Sequence, residues 1–386
     1  MHDPANPVAA ATHADPYPYY ARRVAGLPFA WDAEVSAWVA ASADAARAVL
    51  ASPLCRVRPP AEPVPAALAA NAAGEVFGRL ARMSDGDAHR ARRSAAVSAV
   101  QAIDLSAAAD EAARWTRALW HERGGWRGDV GFRLPVLTLA SLLCVPDDRL
   151  AETATCTTAF VRGIGPGADA ATVTRGADGA ARLARILAHP RVRASAPMRA
   201  LVGALAAAGE ADAGGADTCT VEANAIGLMM QAHDATGGLL GNAIIALADH
   251  PDVCDEVRAR PDLLPALLRE VLRYDPPVQN TRRWAAADGE VAGRNVRAGD
   301  AILILLAAAN RDPALNPEPH RFDPHRAGRR SLTLGHAAHA CPGGTLAETI
   351  AAAALRTLLA LGAGFAAMAE GRRYLPSANG RIPLFS

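Results

Sequence analysis

The chain has 386 residues and a mass of 40.0 kDa, more than one small domain needs, and 51% of its residues are hydrophobic, enough for a large core. Its 40 basic residues are all arginine and nearly balance 39 acidic ones, leaving a formal net charge of +1, which argues against nucleic acid or an anionic membrane as the main partner. The absence of lysine excludes Schiff-base, phosphate-loop and kinase-lysine chemistry.

The start, Met1-His2-Asp3-Pro4, is polar and lacks the basic-then-apolar pattern of a secretory signal. No run of about 18 apolar residues is free of charge; the nearest, residues 350–365, is broken by Arg356. Both features predict a soluble cytoplasmic protein with no membrane contact. The cysteines Cys55, Cys144, Cys156, Cys219 and Cys254 show no paired spacing and read as small buried hydrophobes, not as zinc or redox-dithiol ligands.

Up to residue 51 the chain reads as a short helix, a hairpin built from residues 29–31 and 35–39, and a helix over residues 42–50. Residues 52–82 carry Pro53, Pro59, Pro60, Pro63 and Pro65, which predict a long loop of the kind that covers a site. From residue 86 to 214 alanine-rich helices alternate with breaks at Gly124-Gly125, Val145-Pro146, residues 163–167 and His189-Pro190. A long helix is predicted from about Thr218 to His250, ended by Pro251; at ~1.5 Å per residue it spans about 45–50 Å. Its interior glycines, Gly227, Gly237, Gly238 and Gly241, are poor helix formers. They imply either a close helix–helix crossing or a flat group lying against the backbone. A shorter helix over residues 263–274 follows, then strands over residues 281–286, 290–296 and 301–306 and a proline-rich stretch to Arg330. A closing helix from Pro342 to about Leu361 and short strands complete a mainly α chain with minor β, read as a single domain of residues 1–386.

The segment richest in chemistry runs from Leu332 to Ala347. Cys341 directly precedes Pro342, and proline suits the first position of a helix. Free amides and the helix dipole at that end favour a thiolate. Gly335 and Gly343 leave room for a planar group, and no histidine–acid pair flanks the cysteine as in a protease, so a metal partner is favoured over nucleophilic chemistry.

Here the chain resembles the cytochrome P450 family. The family's haem loop, Phe-Gly-x-Gly-x-His/Arg-x-Cys-x-Gly, is matched at Gly335, His339, Cys341 and Gly343, with Leu334 and Ala337 departing from its phenylalanine and second glycine. Glu270-Val-Leu-Arg273 resembles the ExxR helix, His320-Arg321-Phe322 the meander, and His89 with Arg93 the pair that holds a haem propionate. The resemblance covers the chain from about residue 16 onward. It implies the cytochrome P450 fold, with haem b between the long helix and the cysteine loop and Cys341 as axial ligand to the iron. His89, Arg93, Arg283 and His339 would clamp the propionates. Glu270, Arg273 and Arg321 would form a structural carboxylate–guanidinium cluster, for which bidentate arginine is well suited.

In the long helix, Asp234 stands at the acid of the family's proton-delivering pair, but Ala235 replaces the threonine and a hydroxyl returns only at Thr236. One residue is ~100° around a helix, so Thr236 need not face the same groove. Water organised by Gln231 and Asp234, or polar groups of the substrate, would then replace the missing hydroxyl. The resemblance also places Met229, Met230, His233, Val278, Gln279 and Asn280 around a small-molecule substrate, together with residues 64–73, Phe160, Val161 and Asn379. The implied activity is a haem-thiolate monooxygenase of secondary metabolism, a monomer supplied with electrons by a ferredoxin and its reductase. Arg326, Arg329 and Arg330 offer an acidic ferredoxin a docking face. The competing expectations are an atypical haem-thiolate enzyme (peroxygenase, oxidative coupling or nitration), prompted by Ala235, and a non-catalytic binding protein.

Overall fold

A computed structural model describes residues 2–212 and 215–386; Gly214, the expected end of the alanine-rich stretch, lies outside them. The protein is mainly helical with a small sheet. That sheet has five strands in the order Phe29–Asp32, Ala37–Ala40, Ala301–Ile304, Thr281–Ala285 and Cys55–Arg56. Ala37–Ala40 runs parallel to Ala301–Ile304, with Trp38 opposite Ile302, whereas the other pairs are antiparallel. The N-terminal hairpin is thereby tied to a strand more than 260 residues away. The expected strand over residues 290–296 is instead a tight hairpin of Gly289–Val291 and Arg294–Val296, turning through Ala292 and Gly293, both at positive φ. Residues 52–82, expected to form a long loop, also hold a helix, Ala72–Arg79, started by the Asn71 side chain accepting from the N–H groups of Ala73 and Gly74.

The long helix runs Thr218–Asp249 and begins where the Asp217 carboxylate accepts from the Cys219 N–H. Its glycines record close crossings of protein on protein. A Cβ at Gly237 would lie 2.5 Å from the Gly131 carbonyl oxygen of helix Val130–Leu142, so only glycine lets the two backbones approach this closely. Gly238 and Gly241 make the same allowance for Pro277 and Pro383, and Gly227 for Leu80. The flat-ligand alternative is therefore not needed to explain them. Around this helix the largest core collects Leu239, Leu240, Ile244, Leu268, Ile350 and Leu355 among many others, all within a few per cent of full burial. Among the described residues no helix is long and apolar enough to cross a membrane.

The helix carrying Glu270 spans Leu264–Tyr274, and Glu270 and Arg273 on it are completely buried. Arg273 donates from Nε and Nη2 to the two carboxylate oxygens at 2.9 and 2.6 Å, and the Asp323 N–H adds a third bond at 2.9 Å. The second guanidinium differs from expectation. Arg329 donates to Glu270 at 2.8 Å and Arg326 stands at 3.6 Å, while Arg321 is 63% exposed and faces Glu318 and Asp323. The cause is backbone geometry: Arg273 captures the carbonyl oxygens of Pro319 and Arg321, which turns the Arg321 side chain outward. Phe322 then stacks on His250, with centroids 4.6 Å apart. Burial works to raise the Glu270 carboxyl, but the bonds and charge of Arg273, the Asp323 amide and Arg329 more than offset it and hold the carboxyl below its ordinary value.

Candidate active site at the Cys341 loop

The loop before the last long helix is closed by the Cys341 N–H donating to the Leu334 carbonyl at 2.6 Å and the Gly335 N–H donating to Leu332 at 2.8 Å. Gly335 sits at φ +78, and a Cβ there would lie 2.6 Å from the His339 carbonyl oxygen, so glycine is obligatory. Ala337 takes φ +54, where a side chain costs about 1–2 kcal/mol; this is the position at which the sequence departs from glycine. The helix itself begins at Gly344, with Gly343 as its cap, not at Pro342. Cys341 therefore lies two residues further from the helix end than expected. Burial pushes its thiol up from the ordinary value, and the Gly343 amide, Arg93 and Arg82 work in the opposite direction. The side chain is nevertheless open to a cleft.

Cationic groups converge around this loop. His89 and Arg93 lie four residues apart on helix Gly86–Gln101 and face the same way. The His89 ring packs at 3.9 Å on His339, and Arg93 donates to the Ala340 carbonyl at 2.8 Å. His339 is 3.7 Å from Asp85, and Arg283 is buried within the field of that carboxylate. Burial, then the charges of His339 and Arg93, push His89 down to about 4, so the imidazole is neutral near pH 7.

Arg82 is the residue sequence reasoning missed. Its side chain opens into the cleft, where burial pushes its guanidinium down and the charges of Asp234 and Cys341 push it back. The one available signal was a lone arginine between Leu80 and Met83 in a segment set aside as a covering loop. Arg82 thus lies between the cysteine loop and the long helix. Across it, Asp234 is 41% exposed, Gln231 is exposed, and Ala235 shares their face. Thr236 is buried: two residues from Asp234 is ~200° of helix, which turns it to the opposite side.

The expected substrate residues are not brought together in this cleft. Met229 and Met230 are packed into the core, and so is Phe160. Gln279 accepts from the Tyr20 hydroxyl and donates to the Pro276 carbonyl, and Asn280 donates to Ala378, so these amides tie chain termini to the sheet. Val278 alone of the six is not fully buried. His233 is completely buried, stacked on Phe132 with centroids 5.0 Å apart. The docking face is corrected too. Arg326 and Arg329 are spent on Glu270 and neighbouring carbonyls, and Arg330 alone of the three is exposed.

A loop-borne thiol, a set of guanidinium and imidazole groups and an acid on a long helix across a cleft make up the candidate site. Comparison with known proteins gives it a context. Residues 196–360 match the family model for Cytochrome P450. The 20-oxo-5-O-mycaminosyltylactone 23-monooxygenase of Streptomyces fradiae is 39% identical over 150 residues, 39% of this chain and 36% of its own length. Cytochrome P450 144 of Mycobacterium tuberculosis is 33% identical over 239 residues, 61% of this chain and 54% of its own length. The aligned sequence thus spans between a third and about half of these relatives. The crystal structure of CalO2 superposes with a TM-score of 0.80 at 25% identity, covering 100% of this chain and 99% of that one. That of P450BioI in complex with hexadec-9Z-enoic acid ligated acyl carrier protein gives a TM-score of 0.79 at 23% identity, covering 96% and 98%. The chain has the cytochrome P450 fold, and within it residues 196–360 match that family's model.

The residues present fit a haem. Arg82, Arg93 and Arg283 have no carboxylate within ion-pair distance among the described residues, so the cleft carries surplus positive charge that two propionates would neutralise. The exposed Cys341 thiol would hold the iron, and Gly335 and Gly343 leave the loop beside it without side chains at those two positions.

Proposed function

We propose that the protein is a haem-thiolate monooxygenase that oxidises a small organic metabolite with O2 and electrons from a ferredoxin and its reductase, in secondary metabolism. The observation that carries this reading is the open Cys341 thiol, ringed by His89, Arg93, Arg283 and His339 and faced across the cleft by Asp234. Cys341 would hold the iron of a haem b, whose thiolate ligation would supply electron density that favours O–O cleavage. The protein's own groups do the rest. The ring cations take the propionates, and the neutral His89 packs against His339 to fix that ring's orientation. Inserting one oxygen atom into a C–H bond consumes O2, two electrons and two protons and releases water, so the cleft must be fed with protons; Asp234 is the acid placed to hand them in. The named activity of the Streptomyces fradiae relative supports the substrate class. The protein works as a cytoplasmic monomer. Arg330 remains available to an acidic electron donor, and Arg330→Glu is expected to slow haem reduction in a salt-dependent manner.

The test is the absorption of the ferrous carbonyl form after loading with haem. A thiolate-type band that disappears in Cys341→Ser supports the reading, and a histidine-type band refutes it. A second reading, an atypical enzyme using peroxide or nitric oxide or performing oxidative coupling, is favoured by one feature: the open face of the long helix carries Ala235 and no hydroxyl. Product per NADPH consumed separates the two.

A further inference from the structure

The long helix holds a hydrogen-bonded chain that the site described above leaves unused. The buried His233 ring is bonded at both nitrogens: Nε2 meets the Thr158 hydroxyl at 2.8 Å, and Nδ1 meets Asp234 Oδ1 at 2.8 Å. The two ends of this chain open into different spaces. Asp234 is 41% exposed in the cleft that holds Arg82 and Cys341. Thr158, on helix Asp147–Gly163, lines an outer pocket with Thr155, Arg162, Arg133, Glu122 and Asp129. A core histidine kept only for packing has no need of a hydroxyl on one side and a carboxylate on the other, each reaching a separate compartment.

We propose that Thr158, His233 and Asp234 form a proton relay from the outer pocket to the cleft, deepening the monooxygenase reading above and resting on it. In the starting arrangement the Thr158 O–H donates to Nε2, and Nδ1–H donates to the Asp234 carboxylate. A proton arriving from solvent bonds to Thr158 Oγ1 as its own proton passes to Nε2. The Nδ1 proton then passes to Asp234 Oδ1. One O–H bond and one N–H bond break, and one N–H and two O–H bonds form. The charge is balanced by the incoming proton, which ends as a neutral carboxyl in the cleft. The product arrangement is also satisfied: the Thr158 hydroxyl turns to the Ala154 carbonyl, 3.1 Å away, and accepts from Nε2–H. Release of the Asp234 proton to the cleft completes one delivery, and the next requires the His233 proton to return from Nε2 to Nδ1 by exchange with water. The relay crosses the wall of the site at the helix face where the hydroxyl of Thr236 is turned away. The groups that face it are Phe132 and Arg162 beside the ring, Glu122, Asp129, Arg133 and Arg175 in the outer pocket, and Arg82 in the cleft.

The test needs no substrate. The haem-loaded protein is given NADPH with a plant-type ferredoxin and its reductase, and oxygen uptake is followed in H2O and D2O across pH. His233→Phe, which keeps the stack on Phe132, and Thr158→Val, which keeps the shape of threonine, are each expected to slow uptake by roughly 10²-fold, the lower end of what positioned proton transfer contributes. Both raise the solvent isotope effect and leave anaerobic haem reduction unchanged. Thr155→Val, in the same outer pocket, leaves all three unchanged. A second readout uses the haem-free chain: ¹⁵N spectra of His233 are expected to report Nδ1–H with an unprotonated Nε2 in the parent and a changed signal in Thr158→Val. If either variant binds haem normally yet matches the parent in uptake and isotope effect, the relay is overturned. If the parent itself lacks thiolate-haem absorption, the monooxygenase reading falls, and the ¹⁵N signal of His233 still decides whether the hydrogen-bonded chain exists.

Discussion

Replacing Glu270 by glutamine tests which residues hold the meander to the core. The substitution keeps the shape of the side chain and one acceptor oxygen but removes the charge that binds Arg273 at 2.9 and 2.6 Å and Arg329 at 2.8 Å. Glu270 and Arg273 are wholly shielded from solvent and Arg329 is 13% exposed, so the guanidiniums are left as buried cations without a counter-charge. Breaking such a pair from one side costs about 3–5 kcal/mol. With an unfolding entropy of about 2.1 cal/mol/K per residue, roughly 0.8 kcal/mol/K for the chain, that loss lowers the melting temperature by about 4–6 °C. The carboxyl is held below its ordinary 4.5 in the folded protein, so its contribution is fully present above that value and is lost as the pH falls through the folded one. The difference between parent and Glu270→Gln therefore shrinks below about pH 4.5. Paired with it, Arg329→Met is expected to cost a comparable amount, and Arg321→Met, at an exposed site, less than about 0.5 kcal/mol. Calorimetry on the three variants decides. An Arg321→Met loss equal to that of Arg329→Met, or a Glu270→Gln loss under about 1 kcal/mol, would refute the reasoning.

Two further outcomes follow from the same geometry. Ala337→Gly removes a side chain from a left-handed backbone position at φ +54 and is expected to stabilise the protein by about 1 kcal/mol, read as a rise in denaturant midpoint at unchanged slope. His89 is pushed down to about 4 from an ordinary 6.5, so the unfolded chain binds its proton first and stability drops as pH falls from 6.5 toward 4. Its slope is at most roughly 1.4 kcal/mol per pH unit. His89→Gln is expected to flatten that part of the stability profile, measured by denaturant titration at half-unit pH steps.

Local chemistry made much of the fold legible. Pro251 stops the long helix, and the expected bounds near Thr218 and His250 fall within one residue of Thr218–Asp249, because a stop after a long alternation of small and apolar residues has no competing reading. What local chemistry does not carry is pairing. Nothing near Trp38 announces Ile302 as its parallel partner, and nothing near Glu270 distinguishes Arg321 from Arg329. That choice is made by two carbonyls, of Pro319 and Arg321, which Arg273 captures. Both carbonyls are backbone groups, invisible to any reading of side-chain types. Gln279 and Asn280 were misplaced for a related reason. An amide beside an apolar run suits a ligand pocket and a buried tie equally well, and only the positions of Tyr20 and Ala378 select the tie.

The long helix shows where sequence reasoning about the site reaches its end. Its 3.6-residue period alone says that Thr236 and Asp234 point to opposite sides. It cannot say which side is the cleft. That is fixed by the glycines, since Gly237 must face Gly131 and Gly238 and Gly241 must face Pro277 and Pro383, each too close for any side chain. The sector left over carries Gln231, Asp234 and Ala235, so the helix meets the cleft with an acid and no hydroxyl. A hydroxyl does reach this acid, through His233, but it comes from Thr158, 75 residues earlier and on another helix. Replacing an alcohol within one helix by an alcohol across a helix pair leaves no spacing to recognise. It leaves only a histidine whose two nitrogens find a proton-bearing partner on each side, and that is visible only after the chain has folded.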